Sequence, residues 1–342
     1  MANSIIEVRA VSRSFRSAKK EEGLRGALGL LIHPQFVSHD ALKSVSFDIE
    51  PGTFNGLIGA NGAGKTTLLK ILAGLIPPSS GEARVLGMNP FKRSLDFRRK
   101  ISLVMGQKAQ LWWDLPGIDA FDLLRAIYEI PEKDYRERLH SLTELLDVKR
   151  HLNTQIRRLS LGERMKMELI GAIIHWPSVI FLDEPTIGLD VLAAANLREF
   201  LKSFNQKEKA TIILTSHNMD DIERLCSRVL IMRSGSLIYD GQPGGLTREG
   251  ERRLRVRFME SPTAEELSRI SQIPVTGIEV EEATEESEMR TFYLAIKQDQ
   301  IVPVLQRLIA GYRIVDMGIE EQSLERVIQR LYEEEKATPV SP

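Results

Sequence analysis

One eight-residue loop restricts what this chain can fold into more than anything else in it. Gly59-Ala60-Asn61-Gly62-Ala63-Gly64-Lys65-Thr66 follows the mainly apolar "FNGLI" and precedes the helical "TLLKILAGL". Strand, glycine loop and helix in that order turn successive backbone N–H groups toward one anion, and the helix amino terminus adds its dipole. At this spacing Lys65 is placed to neutralise β- and γ-phosphate charge, and the Thr66 hydroxyl to bind Mg²⁺. Asn61, Ala60, Ala63 and Thr67 complete the cradle.

Such a loop needs acidic partners at the end of a neighbouring strand, and "VIFLDEPTIGLD" supplies them. Val179 to Leu182 form a continuous apolar run, the pattern of a strand buried on both faces. Asp183 and Glu184 stand at its carboxyl end, where open α/β sheets keep their ligand crevice. Asp183 suits a direct or indirect Mg²⁺ partner, and Glu184, one residue further out, suits polarising an attacking water. His217 follows the apolar strand pattern of "TIILTSHN", and Gln107 follows "ISLVM" in the same way. Both are placed to face a γ-phosphate, and Gln107 also to approach the metal.

Around these motifs the texture changes three times. Residues 5–15 and 42–49 alternate like strands, separated by a charged and then apolar insert at about 17–40. From 54 to about 240, short apolar runs alternate with amphipathic helical patterns, which implies a mainly parallel sheet flanked by helices. Gly241, Pro243, Gly244 and Gly245 form a turn-rich break, so the expected domains are 1–245, with a helical subdomain at about 108–172, and 246–342. The second reads β-α-β-β-α-β plus a last helix from Ser323 to about Glu334, a small ferredoxin-like α+β domain. Its first strand alternates Leu254, Val256 and Phe258 with Arg253, Arg255 and Arg257, one dry face and one wet. Thr263 and Glu266 have capping-box spacing.

Composition excludes several classes. Forty-six basic residues against 47 acidic ones leave a net charge of −1, no general attraction to nucleic acid. The single cysteine, Cys226, forms no intramolecular disulfide and reads as a packed apolar helix residue in a reducing compartment. The amino terminus lacks the basic-then-apolar order of a signal peptide, and no apolar run approaches the roughly 20 residues a membrane helix needs. If a membrane is involved, another chain is expected to span it.

Taken in chain order, these motifs resemble those of the nucleotide-binding subunits of ABC transporters, from about residue 5 to 241. Gly59 to Thr66 resembles the Walker A loop, Gln107 the Q-loop, "LSLGE" (159–163) the signature, "VIFLDE" the Walker B strand, "GLD" (188–190) the D-loop and His217 the H-loop. The resemblance implies a P-loop NTPase fold with an antiparallel β subdomain and a helical subdomain, ATP and Mg²⁺ as ligands, and Phe15 as the aromatic that stacks on adenine. It further implies that Ser160, Gly162 and Asp190 face the ATP held by a second copy, so that two chains sandwich two nucleotides by two-fold symmetry. The expected enzyme is an ATP hydrolase, peripheral on the cytoplasmic face of the plasma membrane and serving a separate permease.

The signature departs from the family's commoner Leu-Ser-Gly-Gly-Gln at Leu161 and Glu163. Glu163 is expected to repel a polyphosphate, with Arg164 and Lys166 offsetting it. The insert and tail resemble a bacterial ABC-2-type subgroup, which implies export. Within the insert Leu24, Leu28, Leu31 and Ile32 share one helical stripe, expected to pack on its own domain. Trp112 and Trp113 lie where family members meet the permease's coupling helix; one is expected in the core and the other exposed as an anchor. The alternative, an ABC-type ATPase of DNA repair, the ribosome or nucleotide sensing, finds no long coiled-coil insertion, tandem cassette or basic excess here.

Overall fold

The computed structural model describes residues 4–18, 36–105, 110–246, 251–260, 262–281 and 290–321. The chain divides into two compact units, Met1–Gln242 and Pro243–Pro342.

The first unit is built on a six-stranded sheet in the order β5-β6-β7-β3-β8-β9. Strands β3 (Phe54–Gly59), β5 (Ile101–Met105), β6 (Val179–Asp183), β7 (Thr211–Thr215) and β8 (Arg228–Arg233) are parallel, and β9 (Ser236–Gly241) joins antiparallel at the edge. Val179, Ile180, Phe181 and Leu182 are fully buried, as their unbroken apolar run requires of a central parallel strand. In register, Met105 opposes Asp183 and Asp183 opposes Thr215. The carboxyl ends of three strands thereby converge beside the loop that leaves β3.

A three-stranded antiparallel sheet forms from β1 (Ile6–Ala18), β2 (Phe36–Ile49) and β4 (Ser80–Val85) in the order β2-β1-β4. Helix α1 (Lys65–Leu72) is packed between the two sheets: its Leu68 and Leu72 share one core with Ile6 and Val8 of β1 and with Leu57 and Phe181 of the parallel sheet. The strands flanking the insert run further than alternation predicts, because Ser17 pairs with Val37 and Ala18 with Phe36. The leucine stripe at 24–32 lies outside the described residues.

Short helix α2 (Leu95–Lys100) leads into β5, and a helical layer follows from α3 (Gly117–Tyr128), α4 (Glu132–Leu145) and α5 (Leu161–Ile173). Helices α6 (Val191–Glu208) and α7 (Met219–Leu225) flank the sheet after β6 and β7. Cys226 is the residue that ends α7 rather than one inside it; burial pushes its thiol pKa far up, so packing and not reactivity is its role.

The second unit contains β10 (Glu251–Phe258), α8 (Ala264–Ser271), β11 (Ile278–Glu281), β12 (Thr291–Lys297), α9 (Ile301–Gly311) and β13 (Ile314–Glu321). All pairings are antiparallel and the order is β11-β12-β10-β13, the split βαβ arrangement. Thr263 and Glu266 form the expected capping box at α8. Leu254, Val256 and Phe258 are buried with Phe292, Leu294 and Leu308. The arginine face is drier than its alternation implies. Arg253 is only 8% exposed, because its guanidinium lies 3.6 Å from the centroid of the Tyr293 ring and bonds Glu279 at 2.5 Å. The predicted helix at 323–334 lies outside the described residues.

Candidate functional site

The phosphate-type loop leaves β3 at Gly59 and enters α1 at Lys65. Gly62 and Gly64 take left-handed backbone angles, φ 83° and 106°, which side chains rarely adopt. At Gly64 a Cβ would also stand 2.5 Å from the Ala41 carbonyl oxygen, so β2 itself closes the back of the loop. Ala60, Asn61 and Gly62 form the exposed crest, while Ala63 and Lys65 are buried and Thr66 and Thr67 half-buried. The Lys65 ammonium donates to the carbonyls of Gly59 (2.5 Å) and Ala60 (3.3 Å). Burial pushes its pKa down, against the opposing pull of Glu184 and Asp183.

Asp183 is gripped from both sides by hydroxyls. Thr66 Oγ1 donates to its Oδ2 at 2.9 Å and Thr215 Oγ1 to its Oδ1 at 2.7 Å. Hydrogen bonds to a charged acceptor contribute about 1.5–3 kcal/mol each, so two of them fix the carboxylate without neutralising it. Thr215 was not singled out in the sequence; its only signal was its place at the end of an apolar strand. Glu184 sits at φ 56°, a strained angle for a non-glycine residue, and its N–H is shared between the Thr215 carbonyl (3.1 Å) and hydroxyl (3.0 Å). That turn delivers the Glu184 carboxylate to His217, whose Nε2 lies 2.9 Å from Oε1.

These residues form one cluster; Ser160, Gly162 and Asp190 form a second. Ser160 caps α5, its Oγ accepting from Glu163 N at 3.3 Å while Glu163 Oε2 accepts from Ser160 N at 2.9 Å. Glu163 is thus one half of a capping box, and these bonds, led by the one from the Ser160 backbone, hold its pKa down. Its other oxygen faces His151 at 3.0 Å. The charge expected to repel a polyphosphate is tied into the turn, and the N–H groups of Leu161 and Gly162 are the first-turn donors the box does not use. Asp190 caps α6 through Ala193 N at 2.8 Å, and Gly162 approaches the same turn, where a Cβ would lie 3.6 Å from that of Ala193. Among the described residues no hydrogen bond or ion pair joins the two clusters.

Phe15 is exposed on β1, with the Arg13 guanidinium 4.7 Å from its ring centroid. Arg13 opposes Leu42, whose side chain backs Gly64, so Phe15 stands two residues further along β1, which pairs with the strand that borders the loop. Gln107 lies outside the described residues. Trp112 and Trp113 are both exposed, 43% and 48%, so neither is the core residue expected of the pair. The Arg164 guanidinium lies 5.3 Å from the Trp113 ring centroid and holds that ring at the surface.

The chain is similar to known proteins. The family model described as ABC transporter matches residues 42–187. The ABC transporter ATP-binding protein NatA of Bacillus subtilis is 32% identical over 201 residues, which are 59% of this chain and 81% of NatA. The chain belongs to the ABC transporter ATP-binding proteins. Methionine import ATP-binding protein MetN 2 of Enterococcus faecalis is 25% identical over 301 residues, 85% of each chain, so that match runs on past the cassette. Among solved structures, an ATP-binding subunit of an ABC transporter superposes with a TM-score of 0.59 at 25% identity, over 72% of this chain and 93% of that one. A dimeric ATP-binding cassette in a post-hydrolysis state bound to ADP and Pi superposes with a TM-score of 0.58 at 22% identity, over 69% and 98%, and shares the fold.

The donor set suits Mg·ATP. Thr66 and Asp183 offer hard oxygen ligands of the kind Mg²⁺ takes alongside phosphate oxygens. Among the described residues no cluster of three His, Cys, Asp or Glu side chains offers the all-protein cage of a transition metal.

Proposed function

We propose that this chain binds and hydrolyses ATP to drive a separate ABC-2-type permease, for export, by closing as a homodimer on two nucleotides. The observation that carries the hydrolytic reading is the 2.9 Å contact between Glu184 and His217 beside the Thr66–Asp183 pair. Gly59 to Thr67 would cradle the phosphates, with Lys65 toward the β- and γ-phosphates, and Thr66, Asp183 and Gln107 would hold Mg²⁺. The bound Mg²⁺ would supply charge neutralisation at the transferring phosphoryl group. Glu184 orients and deprotonates the attacking water, and His217 holds Glu184 and the γ-phosphate in one geometry. Phe15 stacks on the base, which contributes about 1–3 kcal/mol.

Support for the dimer comes from the second cluster. Leu161, Ile187, Val191 and Leu192 are exposed apolar residues around Ser160 and Asp190, with Val191 85% exposed. Such a patch fits an interface that buries it when Ser160, Gly162 and Asp190 meet the partner's nucleotide. For the permease, the supporting features are a groove of about 480 Å³ lined by Arg93, Arg98, Leu111, Tyr128 and Glu168, and the two exposed tryptophans that follow Leu111 in the chain. No helix among the described residues is long and apolar enough to cross a membrane, which fits a peripheral subunit on the cytoplasmic face. Residues 246–342 serve as an accessory domain that steadies or regulates the dimer. The longer match to a methionine-import protein supports the competing direction, import, and uptake against efflux in vesicles carrying the permease separates the two.

Glu184→Gln tests the chemistry. ATP binding persists and phosphate release falls at least about 100-fold, with a nucleotide-held dimer accumulating in light scattering. A variant that turns over normally would refute the assignment.

A further inference from the structure

Asp221 is fully buried and accepts three hydrogen bonds from three different elements. Arg198 Nη1, on α6, donates to Oδ1 at 2.8 Å. Thr186 Oγ1, in the loop after β6, and Ser216 Oγ, in the loop after β7, each donate to Oδ2 at 2.6 Å. Thr186 stands two residues beyond Glu184, and Ser216 immediately precedes His217. Ser216 Oγ also accepts from Asn218 N at 3.0 Å, which fixes the turn that projects His217.

From this arrangement we infer that Asp221 is a positioning residue for hydrolysis: it holds the Thr186 and Ser216 turns together and so keeps Glu184 and His217 in contact. The inference rests on the hydrolytic reading above. A buried ion pair that merely joined two helices could be replaced by apolar packing with little loss of stability. This carboxylate is divided differently. One oxygen takes the cation and the other takes both loops, so the loops cannot separate without leaving a buried charge short of donors. Arg198 extends the linkage. It lies on the helix capped by Asp190, about 12 Å along the axis at 1.5 Å per residue. The helix that Asp190 caps thus also carries a donor to Asp221.

The test uses the full-length chain and reads turnover and nucleotide affinity separately. Thr186→Val and Ser216→Ala each lower kcat about 10- to 100-fold, the loss typical of a reacting group displaced by up to an ångström, while the affinity for a fluorescent ATP analogue stays within about twofold. Thr186→Ser, which restores the hydroxyl, recovers most of the loss. In a Glu184→Gln background Thr186→Val adds no further loss, because the two act as one unit. Asp221→Asn, with its melting temperature recorded, shows the same split between kcat and affinity. Folded Thr186→Val and Ser216→Ala variants with wild-type kcat, or with losses confined to nucleotide affinity, would overturn the proposal while Glu184→Gln stays inactive. A fully active Glu184→Gln would overturn the hydrolytic reading and this proposal with it.

Discussion

Two groups of charged side chains in this molecule use the same residue types to opposite ends. On the arginine face of the second unit's sheet Arg253, Arg255 and Arg257 of β10 each meet an acid. Arg253 bonds Glu279, Arg255 reaches Asp316 at 2.8 Å and Glu320 at 3.3 Å, and Arg257 reaches Asp316 at 3.1 Å. At the carboxyl end of the first unit's parallel sheet Lys65 and Asp183 are held by neutral partners, while Glu184 meets His217. Asp183 accepts from two threonine hydroxyls, Lys65 donates to two backbone carbonyls, and among the described residues no cation lies in salt-bridge contact with Asp183. Charges that satisfy each other contribute to stability and have nothing left for a ligand. Charges fixed by neutral partners keep their field for a polyanion and its metal.

The sharpest way to break that comparison is Lys65→Met. A desolvated ammonium is costly to keep, as its lowered pKa shows, so its removal leaves the melting temperature unchanged or higher. Affinity for ATP, measured by titration calorimetry, falls at least about 100-fold, the equivalent of roughly 3 kcal/mol. A variant that lost stability and kept its affinity would place Lys65 among the structural charges.

Acid separates the two units next. His175 stacks on Tyr128 at 4.0 Å, its Nε2 donates to the Ile101 carbonyl, and burial lowers its pKa from 6.5 to about 4. Its folded pKa lies below its unfolded one, so the unfolded chain takes up the proton first and stability is lost as pH falls from 6.5 toward 4. The loss is at most about 3 kcal/mol at 1.36 kcal/mol per pKa unit. On the arginine face, the Arg255 hydrogen bond lowers the Asp316 pKa below 3.8, so that contribution is complete above 3.8 and lost only as pH falls further. Hydrogen exchange followed by mass spectrometry should show the first unit losing protection between pH 6.5 and 4 while β10, β12 and β13 retain theirs. His175→Gln should flatten the first unit's slope. Simultaneous loss in both units would remove the distinction.

What could be read from the sequence follows the same division. Lys65, Thr66, Asp183, Glu184 and His217 were legible because glycine spacing, strand ends and helix starts carry a local signal. Thr215, Thr186, Ser216 and Asp221 were not, since a hydroxyl or a buried acid has no period and its partner is set by strand order. Thr66 and Asp183 are 117 residues apart in the chain and meet only because β6 lies one strand from β3, across β7. Local rules also misjudged surfaces. Alternation marked the arginine face of β10 as wet, but the cross-strand neighbour Tyr293 and the acids of β11 and β13 cover it. Two adjacent tryptophans suggested one buried and one exposed, and a loop that is not in helical or strand register leaves both outside.

Arg255→Ala is the smallest and most selective probe. The guanidinium crosses Gly318, where a Cβ would lie 3.3 Å from Nη2, and bridges two acids of β13 while keeping 26% of its surface exposed. Ion pairs this open to solvent contribute about 0–1 kcal/mol. The substitution should therefore lower only the melting transition of the second unit, by a few degrees in differential scanning calorimetry. ATP affinity and turnover should not move. Salt should mimic the substitution, since about 1 M ionic strength shortens the screening length to roughly 3 Å and weakens exposed pairs first. A drop in ATP affinity or turnover on removing Arg255 would mean that the paired charges of this sheet also report to the nucleotide, and the two groups of charges would then be parts of one device.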